Sequence, residues 1–496
     1  MEIEQGLEKP KKTAAGFFRR KDTIMTEGSI TRHLIAFAIP LLIGNIFQQL
    51  YNTVDSIVVG NFVGKEALAA VGTISPIINT LIGFFMGLAA GASVVISQYY
   101  GARDEKNVHK AVHTTIAMTF ILCAVFTVVG VLMTPYMLKL MKTPSDVFAG
   151  AAQYLRIYFY GVTGLLIYNM GAGILRAVGD SRRPLYFLVF SALTNTALDL
   201  IFVVCFDWGI AGVAIATVLS QLLSALLVLV VLTRSTGCYR IIWNKVKLSG
   251  AMLKKIWRIG IPSALQLAIT SFSNVFVQSY INQFGSACMA GWSSYTKIDQ
   301  FVLLPMQSMS LSATTFVGQN LGANNVKRAR SGANIAVGLS LIITAVLIVP
   351  LIIFSRQMIS LFNPDPQVLE FGTLFIRLVS PFYLLCVVNQ VYAGSLRGAG
   401  DTKTPMIIML ASFVVFRQIY LFVISRFFDS VIPVALGYPA GWLLASITIF
   451  IYYRYGKWEC KRVVVNDCTP ETLPVEEDAP QEAPLIAKDR TASHHV

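Results

Sequence analysis

Residues 175–184 read LRAVGDSRRP, and residues 396–405 read LRGAGDTKTP. The two phrases share Leu-Arg, Gly-Asp and Pro at matching places, and they stand 396 − 175 = 221 positions apart. A longer echo keeps the same interval. GLAAGASVVISQYYGARDEKNVHKA (87–111) aligns with SMSLSATTFVGQNLGANNVKRARSG (308–332), bringing Gln98 onto Gln319 and Gly101-Ala102 onto Gly322-Ala323. Pro40 and Pro262 add a third pair at almost the same shift. The chain therefore reads as one unit written twice.

Composition says what kind of unit it is. Of 496 residues, 55% are hydrophobic and 13% charged, with a mean hydropathy of +0.63. An ordinary soluble domain carries about 25% charged residues. Apolar runs such as 111–138 exceed the ~20 residues that cross a hydrocarbon layer of ~30 Å. The expectation is an all-α polytopic membrane protein. Turn signals and charges mark twelve spans, near 33–60, 67–100, 109–138, 148–177, 183–206, 209–233, 256–284, 288–320, 328–354, 366–396, 403–427 and 430–453.

Twelve spans and a half-length repeat give two pseudo-symmetric lobes of six helices each. Six is even, so each lobe returns the chain to its starting side, and the lobes share one orientation. The expected divisions are a cytoplasmic N-terminal segment (1–30), a first lobe (31–233), a basic linker (234–255), a second lobe (256–455) and a polar, disordered tail (456–496). The N-terminus has basic residues but no apolar stretch before a cleavage site, so it is not read as a removable signal.

Charge sets the orientation. One set of loops holds Arg103, Lys106, Lys110, Arg176, Arg182, Arg183, Lys327, Arg328 and Arg330. The linker adds Arg234, Arg240, Lys245, Lys247, Lys254, Lys255 and Arg258. The opposite loops carry little beyond Lys65, Lys139, Lys142, Arg356 and Arg426. This positive-inside bias puts both termini in the cytoplasm. It also explains the net charge of +14 without invoking nucleic acid.

Charged groups inside the bilayer cost roughly 2.5–3.5 kcal/mol each on insertion scales, so each one is a candidate for function. In NIFQQLYNTVDSIVVG (45–60), Gln48, Asn52 and Asp55 are spaced four and three apart and share one helical face. In SALTNTALDLIF (191–202), Asn195 and Asp199 form an i,i+4 pair, the spacing of two ligands of one small site. Asn169 and Thr217 add inward-facing polar groups. Two carboxyl groups close together in a low-dielectric medium do not both keep a full charge unless a cation joins them. Such a pair is suited to taking up a proton or a metal cation.

The second lobe keeps neither acid, since Val277 and Tyr420 occupy the matching places. Its polar groups are mostly neutral. Gln266 and Asn274 lie in the seventh span, Asn389 and Gln390 in the tenth. Asp299, beside Lys297 in the eighth span, and Arg417 in the eleventh are charged. Gln48, Asn52, Gln266, Asn274, Asp299 and Arg417 are the candidates for a substrate cavity.

Other chemistries are not written here. A GxxxxGK[ST] loop, HExxH and GxSxG are all missing, so the reading is of a protein that is neither an enzyme nor directly ATP-driven. Seven scattered cysteines read as reduced thiols, and the five histidines fall at span ends or in tails. The glycines of GFFMGLAAGAS, at 83, 87 and 91, allow close helix approach. LRAVGD and LRGAGD read as tight turns ahead of helices opened near Pro184 and Pro405.

The first span around PLLIGNIFQQLYNTVDSIVVG, the SQYYGARD and GQNLGANN loops and the doubled LRxxGDxxxP resemble the multidrug and toxic compound extrusion (MATE) transporters, nearest to their bacterial MepA-like and DinF-like branch. The resemblance runs from about residue 30 to 455. It implies a central cavity between the lobes, alternating access, and export of cationic or amphipathic small molecules in exchange for H⁺ or Na⁺. It also implies a cation-coupling site at Asp55, Asn169, Asn195, Asp199 and Thr217, with Na⁺ held by Asp55, Asn195 and Asp199. No other cofactor is implied, and a monomer in the bacterial plasma membrane, contacting lipid and no nucleic acid, is expected. A rival reading within the same superfamily is a flippase for a lipid-linked saccharide, which would favour a basic cavity over carboxylates and amides.

Overall fold

The computed structural model describes residues 24–141 and 143–464. The remainder of the expected N-terminal segment and the tail beyond 464 lie outside the described residues. The spans are α1 (Ile30–Val63), α2 (Lys65–Gly101), α3 (Glu105–Leu140), the pair α4 (Ser145–Tyr160) and α5 (Val162–Ala177), α6 (Arg182–Cys205) and α7 (Gly209–Arg234). The second set is α8 (Gly250–Asn282), α9 (Ser286–Gly322), α10 (Val326–Ile353), α11 (Pro366–Gly398), α12 (Lys403–Phe427) and α13 (Val431–Tyr455). Eleven of these are long and apolar enough to cross a membrane alone, and α4 with α5, bent by 48° at Gly161, makes the twelfth.

The interval of 221 governs the backbone as well as the sequence. Helices α2 and α9 are both 37 residues long and start 221 apart. Asp104 caps α3 by accepting from the Asn107 N–H, and Asn325 caps α10 by accepting from the Arg328 N–H. Each cap satisfies donors that a helix start leaves free. The turns repeat too. Gly179 (φ +88°) and Gly400 (φ +92°) adopt the left-handed conformation that glycine tolerates. Arg103 (φ 56°) and Asn324 (φ 59°) do so as a pair of non-glycine residues. Both α6 and α12 loosen into a π-helical stretch, Ile201–Cys205 and Ala411–Phe416, a local widening often found beside functional groups.

The buried side chains form two clusters, but the chain does not divide between them at its midpoint. The start of α1 (Leu34, Phe37, Ala38, Leu41) packs in the second cluster, with α9, α10 and α11. The start of α8 (Met252, Ile256, Ile259, Ala264) packs in the first, with α2 and α3. Each lobe's first helix thus crosses to the other lobe. Glycines make the α2–α8 crossing close. A Cβ on Gly87 would stand 2.3 Å from Ala264 Cα, and one on Gly91 would stand 2.5 Å from Gly260 Cα.

Five of the cysteines, 123, 205, 238, 288 and 386, are free thiols. Cys460 corrects the expectation of seven reduced cysteines, since it is disulfide-bonded. It lies in the turn Trp458–Lys461, past the apolar spans.

Candidate functional site

Asp55 lies four residues before the π-helical stretch that ends α1, and Asp199 two residues before the π-helical stretch of α6. Their carboxyl groups lie within hydrogen-bonding reach of each other. Asp199 is 0% exposed and Asn195, one turn earlier, is 1% exposed. Asp55 Oδ1, both oxygens of Asp199 and both polar atoms of Asn195 are buried with no hydrogen-bond partner. Ionised carboxylates only accept, so nothing in this set donates except the Asn195 amide. A cluster of unpartnered oxygens suits a proton shared between the acids, or a hard cation that takes oxygen ligands.

Thr217 on α7 is buried and bonds the Val213 carbonyl at 3.0 Å, and it shares the inter-lobe lining with Tyr154. Asn169 on α5 donates to the Leu165 carbonyl at 2.9 Å. It lines a small pocket of about 110 Å³ shared with Gln48, Tyr51, Asn195 and Gln221. Three tyrosines that the sequence pattern did not single out also belong to the site. Tyr51, Tyr154 and Tyr158 line the inter-lobe space beside Asp55, and the Tyr158 hydroxyl is itself buried without a partner. Tyr51 had a readable signal, since it precedes Asp55 by four residues.

A larger cavity of about 820 Å³ lies between the lobes, in the half of the molecule away from the arginine-rich face. The first lobe lines it with Gln48, Asn52, Asp55, Tyr154, Tyr158 and Thr217. The second lobe contributes Ser271, Asn274, Gln278 and Gln300. Asp55 is the one charged residue among the described lining residues. It faces the cavity while touching the fully buried Asp199, so anything in the cavity feels the state of the pair.

Of the substrate-cavity candidates, Gln48, Asn52 and Asn274 line this space, and Gln266, Asp299 and Arg417 do not. Gln266 is 4% exposed and donates to Met409 Sδ. Asp299 accepts from the Tyr383 hydroxyl at 2.5 Å, and Tyr295 meets Tyr383 at 3.3 Å. Arg417 stands one residue behind the wall. It donates to Ser273 Oγ and Asn274 Oδ1 at 2.9 Å each and stacks over Tyr438 at 4.7 Å. In each case a neighbouring side chain engages the polar group away from the cavity, although Gln266 Oε1 and Arg417 Nε keep no partner of their own.

Two parallel six-span lobes, an inter-lobe cavity and an acid pair at its wall define a membrane transporter built from internal repeats. The MatE family model matches residues 40–201 and 262–423, once in each half. The chain belongs to that family, the multidrug and toxic compound extrusion transporters. Two Bacillus subtilis relatives, the probable multidrug resistance proteins YoeA and YpnP, are each 30% identical over 88% of this chain, covering 96% and 98% of their own lengths. A solved multidrug resistance MATE family transporter of the MOP superfamily, in an outward-facing conformation, is 25% identical with a TM-score of 0.82, over 88% of this chain and 98% of its own.

Proposed function

We propose that the protein is a secondary active antiporter that exports cationic or amphipathic small molecules across a bacterial plasma membrane in exchange for H⁺ or Na⁺. The carrying observation is the placement of Asp55. One carboxyl belongs to the cavity wall and to the buried oxygen cluster with Asp199 and Asn195. A cation in the cluster neutralises the wall, and a cationic substrate at the wall competes with it. The coupling is then a free energy linking the two bindings, which works in both directions. In this reading, Asp55, Asn195 and Asp199 hold the ion, Thr217 and Asn169 support them, and both termini face the cytoplasm.

The carboxylate-and-amide lining favours cations over the anionic headgroup of a lipid-linked saccharide, which a basic cavity would suit better. The relatives named as multidrug resistance proteins support small-molecule cargo. The test is efflux of a fluorescent organic cation from proteoliposomes under Na⁺ and H⁺ gradients imposed separately. One gradient should drive efflux and its collapse should stop it. Efflux indifferent to both gradients would defeat the antiport reading.

A further inference from the structure

Gln98 on α2 and Gln319 on α9 are each 0% exposed and stand 221 residues apart. Each reaches across the molecule. Gln98 Nε2 donates to the Gly398 carbonyl of the second lobe at 2.9 Å. Gln319 Nε2 donates to the Ala177 carbonyl of the first lobe at 2.8 Å. Gly398 and Ala177 are again 221 apart and belong to the two copies of the repeated phrase.

The amide oxygens are used as well, by the two ends of the described chain. Gln319 Oε1 accepts from the Met25 N–H at 2.9 Å. Gln98 Oε1 accepts from the Val463 N–H at 2.6 Å. The segment before α1 thus closes on the second lobe, where Asn320 and Arg328 also bond the Met25 carbonyl. The segment after α13 closes on the first lobe, where Lys255 bonds Tyr99 and the Val463 carbonyl. Two glycines let the helices meet. A Cβ on Gly101 would stand 1.9 Å from the Gln319 carbonyl oxygen, and one on Gly322 the same 1.9 Å from that of Gln98.

We propose that Gln98 and Gln319 are the gate residues of the arginine-rich face, a crossed pair of amides that bolts the lobes together while the cavity lies open to the other side. The proposal rests on the transport reading above. An amide used only for packing within a lobe would be satisfied by its own lobe. Here all four bonds run to the opposite lobe or to a terminal segment. Separating the lobes at this face breaks the Gln98–Gly398 and Gln319–Ala177 bonds as a pair, leaving two amide N–H groups without their partners at once. Gln98 and Gln319 act on transport by positioning the lobes, without contact to cargo.

A disulfide tests the gate without weakening it. A Cβ on Gly318 would lie 3.3 Å from Ser97 Cβ, near the roughly 3.5–4.5 Å spacing of disulfides. The full-length protein carrying Ser97→Cys and Gly318→Cys is oxidised in proteoliposomes, and cross-linking is quantified by mass spectrometry. Efflux of the fluorescent cation should stop in proportion to cross-linking and return with dithiothreitol, while either single variant ignores the oxidant. Normal efflux by cross-linked protein would overturn the proposal, because the face would not need to open.

A second measurement needs no cargo, so it stands even where the efflux assay fails for want of the right substrate. The buried Ser97→Cys thiol is labelled with a small maleimide in wild-type, Gln98→Met and Gln319→Met backgrounds. Each substitution removes two hydrogen bonds at nearly constant volume and should raise the labelling rate about tenfold, by similar amounts for the two sites. Wild-type labelling rates in both backgrounds would also overturn the assignment.

Discussion

Asp199→Asn keeps the outline of the side chain and removes one of the two negative charges in the oxygen cluster. The structure sets the size of the effect. Asp199 is 0% exposed, so solvent does little to screen it. A monovalent cation about 4 Å from a carboxylate, at an effective dielectric of about 20, gains roughly 4 kcal/mol. Losing that interaction lowers cation affinity about a thousandfold. The fold should not suffer. The new amide can donate to the Asp55 carboxyl, which has a buried oxygen without a partner, so the pair stays joined without a shared proton or a cation. The variant should therefore express and melt at or above the wild-type temperature in cation-free buffer, bind the coupling ion far more weakly, and show no gradient-driven efflux. Calorimetric titration of purified protein with Na⁺, proton release on substrate binding, and proteoliposome efflux measure these in turn. Wild-type efflux by Asp199→Asn, or an unchanged affinity for the coupling ion, would refute the site.

Three further outcomes follow from the geometry. Tyr383→Phe deletes the hydroxyl that donates to Asp299 at 2.5 Å; it should destabilise the protein by roughly 1–3 kcal/mol, read as a lower melting temperature, with ion affinity unchanged. Arg417→Met removes a positive charge behind the cavity wall and releases Asn274 Oδ1 toward the cavity; KM for cationic cargo should fall while uptake of the coupling ion is preserved, and an unchanged KM would show that the wall does not sense Arg417. Gly87→Ala and Gly91→Ala place a methyl group 2.3 Å and 2.5 Å from the α8 backbone and should cost about 1–3 kcal/mol each by overpacking. Gly83→Ala meets Leu267 Cβ at an ordinary 3.5 Å and should be silent, so equal melting temperatures for all three would refute the close seam.

The spans were legible because lipid enforces long apolar runs and charged ends, and because the Gly-Asp phrases needed a left-handed turn twice. The interval of 221 shows which residues are equivalent, yet equivalence does not show which residues touch. Nothing in the pattern places the start of α1 beside α9, or the start of α8 beside α2, since both stripes are simply apolar. Asp55 and Asp199 stood out for the cost of charge in a bilayer. Tyr51, Tyr154 and Tyr158 did not, because tyrosine is an ordinary residue in such helices. Asp299 and Arg417 looked the same as Asp55 by that criterion. What separates them is a partner supplied by another helix: Tyr383 for Asp299, Ser273 and Asn274 for Arg417. A buried polar group is functional or satisfied according to what faces it, and only the fold brings that face into view.

The repeat and its departures carry different parts of the mechanism. Caps, turns and the glutamine pair keep the two-fold relation, which is what a gate needs if both lobes are to part together. The acid pair breaks it, because Val277 and Tyr420 stand where the second lobe would hold acids. A symmetric gate driven from one lobe requires that a change at Asp55 and Asp199 reach the other half through shared elements. The crossed first helices provide them. Asp55 lies on α1, and the start of that same helix packs in the second cluster at the arginine-rich face, where the Ser312 hydroxyl donates to the Leu34 carbonyl at 3.0 Å. Bending or rotating α1 at the acid pair therefore acts directly on the opposite lobe beside Gln319. Substituting Pro40, which lies on α1 between Leu34 and Asp55, with Ala should stiffen this link; ion binding should persist while efflux slows. Efflux at the full rate would show that α1 does not need to flex between the two sites.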